Sequence, residues 1–399
     1  MRKTDLSADR RRYLVACDDR PHVSALVAPP TPRNLDIGPT ARAALREAEL
    51  AIARLQGYLA RTGLDQPLSR ALQQREAVQS SQIEGTHATL SDLLTYQATR
   101  GTEGLPADVQ ETGRYVQALR LGLEAVQQQG RPALSAAMVH RLHQVLMQDK
   151  PAPFLGGQYR RHQVWIGGLR IEDATLVPAP PAAVPTLMEE FIASMLQYQP
   201  AEDEQYALVI TAQLAIAHAQ FETIHPYEDG NGRTGRLLLP LILAAEALPP
   251  LYLSGTLLRN RQHYYDCLAS VQLRGQWDAW VTLLATAVSE SCEDAMALGQ
   301  DMASIKRGWE LQLASLRTDA AARRLPDLLI ASPIVSIRQV AELLGVSMPT
   351  ASAAVRLLVD KGILVDPGDG RRWGRVFHAA QVLARLSEPP RRPGHGRPR

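Results

Sequence analysis

His225-Pro226-Tyr227-Glu228-Asp229-Gly230-Asn231-Gly232-Arg233-Thr234-Gly235-Arg236 is the stretch that decides how this chain folds. In a single short run it sets an imidazole fit to act as a base, an aspartate fit to hold a hard cation, glycines and two arginines. The segment before it, Tyr206 to Ile224, is alanine-rich and apolar, lacks proline and glycine, and is too long for one strand, so it reads as a buried helix. Pro226 stops that helix, Asp229-Gly230-Asn231-Gly232 is turn chemistry, and a helical pattern resumes at Arg233 and runs through Leu237 to Leu248. The expected module is helix, anion-binding turn, helix, with the positive end of the second helix facing whatever the turn holds.

Other motifs fail on the same residues. Gly230, Gly232 and Gly235 match the spacing of a dinucleotide fingerprint, but no strand precedes them and the acid expected about 20 residues on is missing. A Walker A loop needs Lys-Ser/Thr where Arg236-Leu237 stands. His218 and His225 lack the further ligands of a zinc site, and His218 reads as a core histidine.

The pattern His-Pro-Tyr-x-Asp-Gly-Asn-Gly-Arg-x-x-Arg resembles the signature of Fic-domain proteins, which are mostly helical and typically move AMP from ATP to a hydroxyl of a target protein. The resemblance implies that His225 deprotonates the target Ser, Thr or Tyr hydroxyl and that Asp229 holds Mg²⁺. It further implies that Asn231 contacts the α-phosphate, that Gly230, Gly232 and Arg233 cradle the outer phosphates, with Gly235 inside the same loop, and that Arg236 pairs with the γ-phosphate. Tyr227 departs from the family's Phe and must find a partner for its hydroxyl. The chemistry asks for the same residue types: a base near the hydroxyl, a cation on the leaving group, and fixed donors for the phosphoryl oxygens.

Ser80-Ser81-Gln82-Ile83-Glu84-Gly85 resembles the family's inhibitory pattern, placed before the core. Ser80 and Glu84 share a helix face and Gly85 supplies a stop. The resemblance implies that Glu84 pairs with Arg236 and blocks the productive pose of ATP. Ser81-x-x-Glu84 also reads as a capping box at a helix start. Gln163 to Gly168 and Thr175 to Pro178 are two β-prone runs about a turn, the only hairpin expected before the C-terminal region. This hairpin resembles the Fic flap, with Ile166, Gly167, Gly168 and Leu169 at its tip binding the target segment as an added strand; an ordinary surface hairpin is the alternative. Tyr264 and Tyr265 resemble the residues that wall the adenine, although one of them also reads as core.

The 399 residues carry a net charge of +2, which excludes a strongly polyanion-seeking surface. The opening residues lack the apolar run of a signal peptide, the richest apolar stretch is interrupted by Pro240, Glu246 and Pro249-Pro250, and no membrane partner is expected. Cys17, Cys267 and Cys292 form neither a metal pattern nor a disulfide framework, and the expected location is cytoplasmic.

Punctuation divides the chain into an N-terminal arm and helical region (1–104), a Fic core (105–300), a connecting helix (301–324), a winged-helix domain (325–387) and a disordered basic tail (388–399). The expected fold class is mostly α, with a small flap. Thr89-x-x-Asp92 marks a further helix start. In the C-terminal piece Ser336, Gly345 and Ser347 punctuate a helix-turn-helix, and the residues from Ile363 to Phe377 form its wing. Arg356, Arg371, Arg372 and Arg375 are its candidate DNA contacts, and Ser347, Thr350 and Ser352 are weaker ones. The leading expectation is an ATP- and Mg²⁺-dependent protein adenylyltransferase, autoinhibited by Glu84, acting on a hydroxyl-bearing target protein or on itself. The resemblance implies a homodimer. The alternatives are a nucleotide-sensing, DNA-binding transcriptional regulator, or removal of AMP or another nucleotidyl transfer at the same site.

Overall fold

The computed structural model describes residues 1–17, 20–62, 65–151, 154, 156–201, 207–368 and 375–388. Helix α1 (Ala8–Arg11) leads into strands β1 (Leu14–Ala16) and β2 (Ser24–Leu26), antiparallel with Leu14 opposite Leu26. Helices α2 (Pro39–Thr62), α3 (Asp65–Ile83), α4 (Leu90–Thr99), α5 (Val109–Gln129), α6 (Ala136–Leu146) and α7 (Val184–Phe191) follow. Next come α8 (Ile210–Ile224), α9 (Asn231–Ala245), α10 (Ser254–Arg259), α11 (Arg261–Arg274) and α12 (Asp278–Gln312). The chain closes with α13 (Ala321–Ala331), β3 (Ile334–Ser336), α14 (Ile337–Leu344), α15 (Met348–Asp360), β4 (Val376–His378) and α16 (Ala380–Ser387). The fold is mostly α, as its sequence implies.

Two compact units divide it: Met1–Arg54 with Gln117–Ser291, and Leu55–Val116 with Cys292–Arg399. This division differs from the one read off sequence punctuation, because α2, α5 and α12 each run through a boundary without a break. The connecting helix expected over 301–324 is not a separate element. No stop signal interrupts α12 before Gln312, and the chain turns over residues 313–320 before α13 begins.

In the first unit every residue of α8 is buried, so this helix has no solvent face and serves as the unit's axis, with α9, α7 and α11 packed against it. It begins at Ile210, later than the sequence pattern suggests. Val209 offers no side-chain cap, and Glu49 of α2 instead accepts from the Thr211 N–H at 2.9 Å. Tyr206 lies outside the described residues.

The hairpin expected over residues 163–178 is reduced to one antiparallel bridge, Ile166 to Leu176, around the short 3₁₀ turn Ile171–Asp173. Its tip is open to solvent: Gly167 and Gly168 are exposed, and Leu169 is 96 % exposed. Nor is it the only hairpin. The N-terminal arm forms β1 and β2, and Cys17, Val23 and Ala25 share one buried cluster with Ile171, Ala174 and Val177 of the flap. The Leu26 N–H donates to the Val177 carbonyl at 2.8 Å. The arm is therefore the foundation of the flap rather than a loose cover.

In the second unit α3 ends at Ile83 and Glu84 follows, exposed, in a tight turn closed by the Glu84 N–H on the Ser81 carbonyl and the Gly85 N–H on the Gln82 carbonyl. Gly85 adopts a φ of 95°. The capping-box reading of Ser81 and Glu84 is excluded, since these residues sit at a helix end and not at a start. Ser80 and Ser81 are fully buried. Thr89 and Asp92 do form a reciprocal capping box at the start of α4.

The C-terminal elements build the expected winged helix-turn-helix. Ser336 and Ser347 accept first-turn N–H bonds of α14 and α15, Gly345 ends α14 at a φ of 63°, and the two helices cross at 114°. Strand β3 pairs antiparallel with β4, and Val365 bridges to His378 as the wing's base. The Ser336 hydroxyl also donates to the Ala98 carbonyl at the end of α4. Among the described residues no single helix is long and apolar enough to cross a membrane, and the three cysteines are buried and not joined in a disulfide.

Candidate active site

Helix α8 ends on His225, which takes a left-handed conformation (φ 50°, ψ 63°) while its N–H donates to the Phe221 carbonyl. A non-glycine residue pays strain in this region unless its surroundings hold it there. Arg160 does the holding. Its guanidinium is buried and donates to the carbonyls of His225 at 2.8 Å and Ala179 at 2.5 Å, while its own N–H donates to the Pro226 carbonyl. Burial lowers the Arg160 guanidinium to about 10, opposed by the charge of Glu228, so it stays charged at neutral pH. Glu228 completes the clamp by accepting from the backbone N–H groups of Arg161 and His162 and pairing with the His162 ring at 2.9 Å.

The His225 imidazole faces Glu222, one helical turn back, with Nδ1 3.6 Å from the Glu222 carboxylate. At that distance the contact is an ion-pair approach rather than a formed hydrogen bond. Burial alone would raise the Glu222 carboxyl, but His225, His218 and Arg236 together hold it below its ordinary value. Glu222 is therefore a buried carboxylate that stays ionised beside the imidazole. It also explains Gly235: a Cβ there would lie 2.9 Å from Glu222 Oε1 and 3.1 Å from His218 Nδ1. His218 is a core residue, as expected, its Nε2 meeting the Tyr264 hydroxyl at 2.8 Å.

The turn between α8 and α9 is closed by its own side chains. Asn231 is buried, accepts from the Tyr227 N–H and donates to the Tyr227 carbonyl, both at 2.9 Å. Asn231 thus closes the loop with its oxygen and one amide hydrogen, and its second amide hydrogen is left for another acceptor. Gly230 is left-handed (φ 78°), its N–H donates to Asp229, and a Cβ there would lie 2.8 Å from the Met147 sulfur. Its amide therefore points at a neighbouring carboxylate and not into an anion cradle. The amides that remain are those of the first turn of α9, beginning at Asn231 and Gly232, where the helix has no side-chain cap.

Tyr227 is fully buried, and its hydroxyl finds His140 Nδ1 at 3.2 Å, so the substitution for phenylalanine leaves the loop seated. Its ring stacks on His143 at 3.6 Å between centroids, a contact worth about 1 kcal/mol beyond area burial. His143 accepts the Gly157 N–H on Nδ1, which leaves Nε2 to donate to the Asp229 carbonyl. Burial lowers His143 to about 4, with the Asp229 hydrogen bond opposing. The unfolded chain binds this proton below about 6.5, while the fold takes it up only below about 4. Stability is thus lost as the pH falls through that window, by up to about 3 kcal/mol. His143→Gln is expected to flatten the pH dependence of Tm between those values; a wild-type slope matched by the variant contradicts the assignment.

Arg233 and Arg236 are both buried on α9, and the Arg233 guanidinium reaches toward Asp229 at 3.6 Å. Asp229 itself is half exposed. Among the described residues no trio of His, Cys, Asp or Glu converges as a protein cage for a metal. One accessible carboxylate fits Mg²⁺ brought in by phosphates, because that ion commonly keeps waters and takes only one or two protein oxygens. Of the expected adenine residues, Tyr264 is corrected to core: it is 1 % exposed, with its ring between His218, Tyr265 and Trp280. Tyr265 stays accessible at 37 %.

The DNA contacts expected in the winged helix fare unevenly. Arg356 is exposed on α15, whereas Arg375 pairs with Asp366 and lies over the Phe377 ring. Ser347 is spent on capping α15 and on the Thr350 hydroxyl. Arg371, Arg372 and the basic tail lie outside the described residues.

Arg160, Glu222, Glu228 and His143 were not singled out from sequence. Glu222 alone carried a signal, an acid one turn before a histidine in an otherwise apolar helix.

Residues 42–124 match the Fic/DOC family N-terminal region and residues 133–243 match the Fic/DOC family itself. A curated relative from Aedes aegypti, named protein adenylyltransferase Fic, is 35 % identical over 116 residues, which is 29 % of this chain and 20 % of the relative. The relative of the same name from Culex quinquefasciatus is 32 % identical over the same shares. The chain thus spans about a fifth of the length of these relatives. A Fic family protein from Desulfovibrio desulfuricans G20 shares the fold at a TM-score of 0.52 and 23 % identity, over 87 % of this chain and 97 % of that one. A Fic-1 fragment from C. elegans does so at 0.50 and 20 %, over 64 % and 72 %. The chain thus carries a Fic/DOC N-terminal region over 42–124 ahead of a Fic/DOC domain over 133–243 that contains the His225–Arg236 loop.

Proposed function

We propose that this chain is a protein adenylyltransferase that moves AMP from ATP to a hydroxyl of a protein. The observation that carries the reading is the arrangement at the junction of α8 and α9. A histidine is held in a fixed left-handed pose with a buried carboxylate at its Nδ1, next to an uncapped helix N-terminus walled by Arg233 and Arg236. The curated relatives' name agrees with it.

In this mechanism His225 Nε2 takes the proton of the target hydroxyl as its oxygen bonds to the α-phosphorus of ATP. The bond from that phosphorus to the bridging oxygen breaks, and pyrophosphate leaves with the electron pair. The α9 amides and the two arginines hold the phosphate oxygens, as fixed donors do for developing charge. Mg²⁺, held by Asp229 together with substrate oxygens, would neutralise the leaving group. Glu222 stabilises the imidazolium as it forms. The flap offers the backbone around Ile166 as an edge to which a target segment adds, with Leu169 at its tip. Glu84 acts as a brake on the same reaction.

Labelled ATP tests the reading. Label in the α-phosphate is expected to appear on protein and label in the γ-phosphate is not; γ-label on protein would mean phosphoryl transfer instead. Glu222→Gln is expected to lower the rate about ten- to a hundredfold and to move the acid limb of the pH–rate profile to lower pH, because protonation of the imidazole loses its counter-charge. A slower enzyme with an unmoved profile would reduce Glu222 to a packing role.

The rival reading, a DNA-binding regulator, has two exposed candidate arginines among the described residues of the winged helix, Arg356 and Arg375, and the second is paired with Asp366.

A further inference from the structure

A second polar site lies in the first unit, in a pocket of about 90 Å³ lined by Arg10, Pro29, Pro32, Gln220, Gln272 and Trp277. Two of these side chains are unfinished. Gln272 is 5 % exposed, and its Nε2 has no hydrogen-bond partner; the buried Nε of Arg10 has none either. Both are donors. The carbonyls beside them each accept one bond elsewhere: that of Val271 receives Arg10 Nη2 at 3.1 Å and that of Pro29 receives Gln220 Nε2 at 2.7 Å. The Thr223 hydroxyl, also at the pocket, donates to the Ala219 carbonyl. Burial lowers the Arg10 guanidinium from its ordinary value, with Tyr13 and Asp9 opposing, and among the described residues no carboxylate forms an ion pair with it; Asp9 pairs with Arg12.

A cation taken out of water without a counter-ion is costly, and so is a buried donor left unmet. A water could accept from both donors but brings no charge to offset the guanidinium. The volume holds about three waters or one small oxyanion, and is far too small for a nucleotide. We propose that this pocket binds a small oxyanion of the size of acetate or phosphate, gripped by Arg10 Nε and Gln272 Nε2. The site is separate from the proposed nucleotide site. It joins the N-terminal arm, through Arg10 and the prolines, to α8, where Thr223 stands two residues before His225. Occupancy therefore locks the arm onto the helix that carries the base.

The test is thermal unfolding of the full chain in sodium acetate, sodium phosphate or sodium chloride at matched pH and ionic strength. Acetate or phosphate is expected to raise Tm by about 2 °C per tenfold increase above its dissociation constant, over chloride. A response to acetate alone assigns a carboxylate, and one to phosphate alone a phosphate. Arg10→Met and Gln272→Leu are expected to lose the difference between salts. Identical behaviour in the three salts, or a response that both variants keep, overturns the proposal. Should the variants fold poorly, a crystal structure of the wild-type chain grown in the effective salt decides. A trigonal or tetrahedral ion on Arg10 Nε and Gln272 Nε2 supports the site, and water alone overturns it.

Discussion

His225→Ala is expected to abolish AMP transfer while leaving ATP binding within a fewfold of wild type. The backbone of His225 is held at the end of α8, where Arg160 donates to its carbonyl, and Glu222 stands near its Nδ1. Positioned general bases contribute about 10²- to 10⁴-fold, and a methyl group cannot replace one. The groups proposed to hold the phosphates lie elsewhere, in the first turn of α9 and on Arg233 and Arg236, so they survive the substitution. Single-turnover transfer and equilibrium ATP binding measured on the same samples separate the two roles. Comparable transfer rates in wild type and variant would remove His225 from the base position.

Glu84→Gly is expected to act in the opposite direction and raise transfer about a hundredfold. If the uninhibited state is about 1 % of the wild-type population, releasing it corresponds to about 2.7 kcal/mol. The brake proposed for Glu84 can be tested apart from stability. The residue follows the last residue of α3, is exposed, and sits in a turn that Gly85 closes, so its side chain is not part of the core. The fold should be unharmed, and an unchanged Tm in the variant checks this. A variant that folds normally but transfers no faster than wild type would leave Glu84 without a regulatory role.

The parts of this protein legible in its sequence are those where the determinants are local. The His225–Arg236 loop carries its own turn residues, and the caps at Thr89, Ser336, Gly345 and Ser347 each act within a few positions. Other features depend on distant partners and leave no such mark. Strands β1 and β2 are three residues each in an arm rich in proline and charge, and Ala25 of β2, with the flanking Cys17 and Val23, is buried against Ile171, Ala174 and Val177 far along the chain. Arg160 looks like any surface arginine until the fold brings the carbonyls of Ala179 and His225 to it.

Two residues of the signature carry a structural task that the sequence does not reveal, for a related reason. Asn231 and Gly230 have polar groups that close the loop on itself, through Tyr227 and Asp229, and spacing alone does not distinguish a group that holds a ligand from one that holds the turn. Tyr264 shows the same limit from the other side. Its neighbour Tyr265 is the accessible ring, and which of two adjacent tyrosines faces inward is set by the packing of α11 against α8.

Intact mass spectrometry after incubation with ATP and Mg²⁺ tests the central claim most directly, on wild type, Glu84→Gly and Glu84→Gly/His225→Ala supplied with candidate target protein. An AMP-sized gain on chain or target in the Glu84→Gly sample, absent from the double variant and much weaker in wild type, is the expected result. A gain of equal size in Glu84→Gly and in the double variant, or a phosphate-sized gain in its place, would contradict adenylyl transfer by His225.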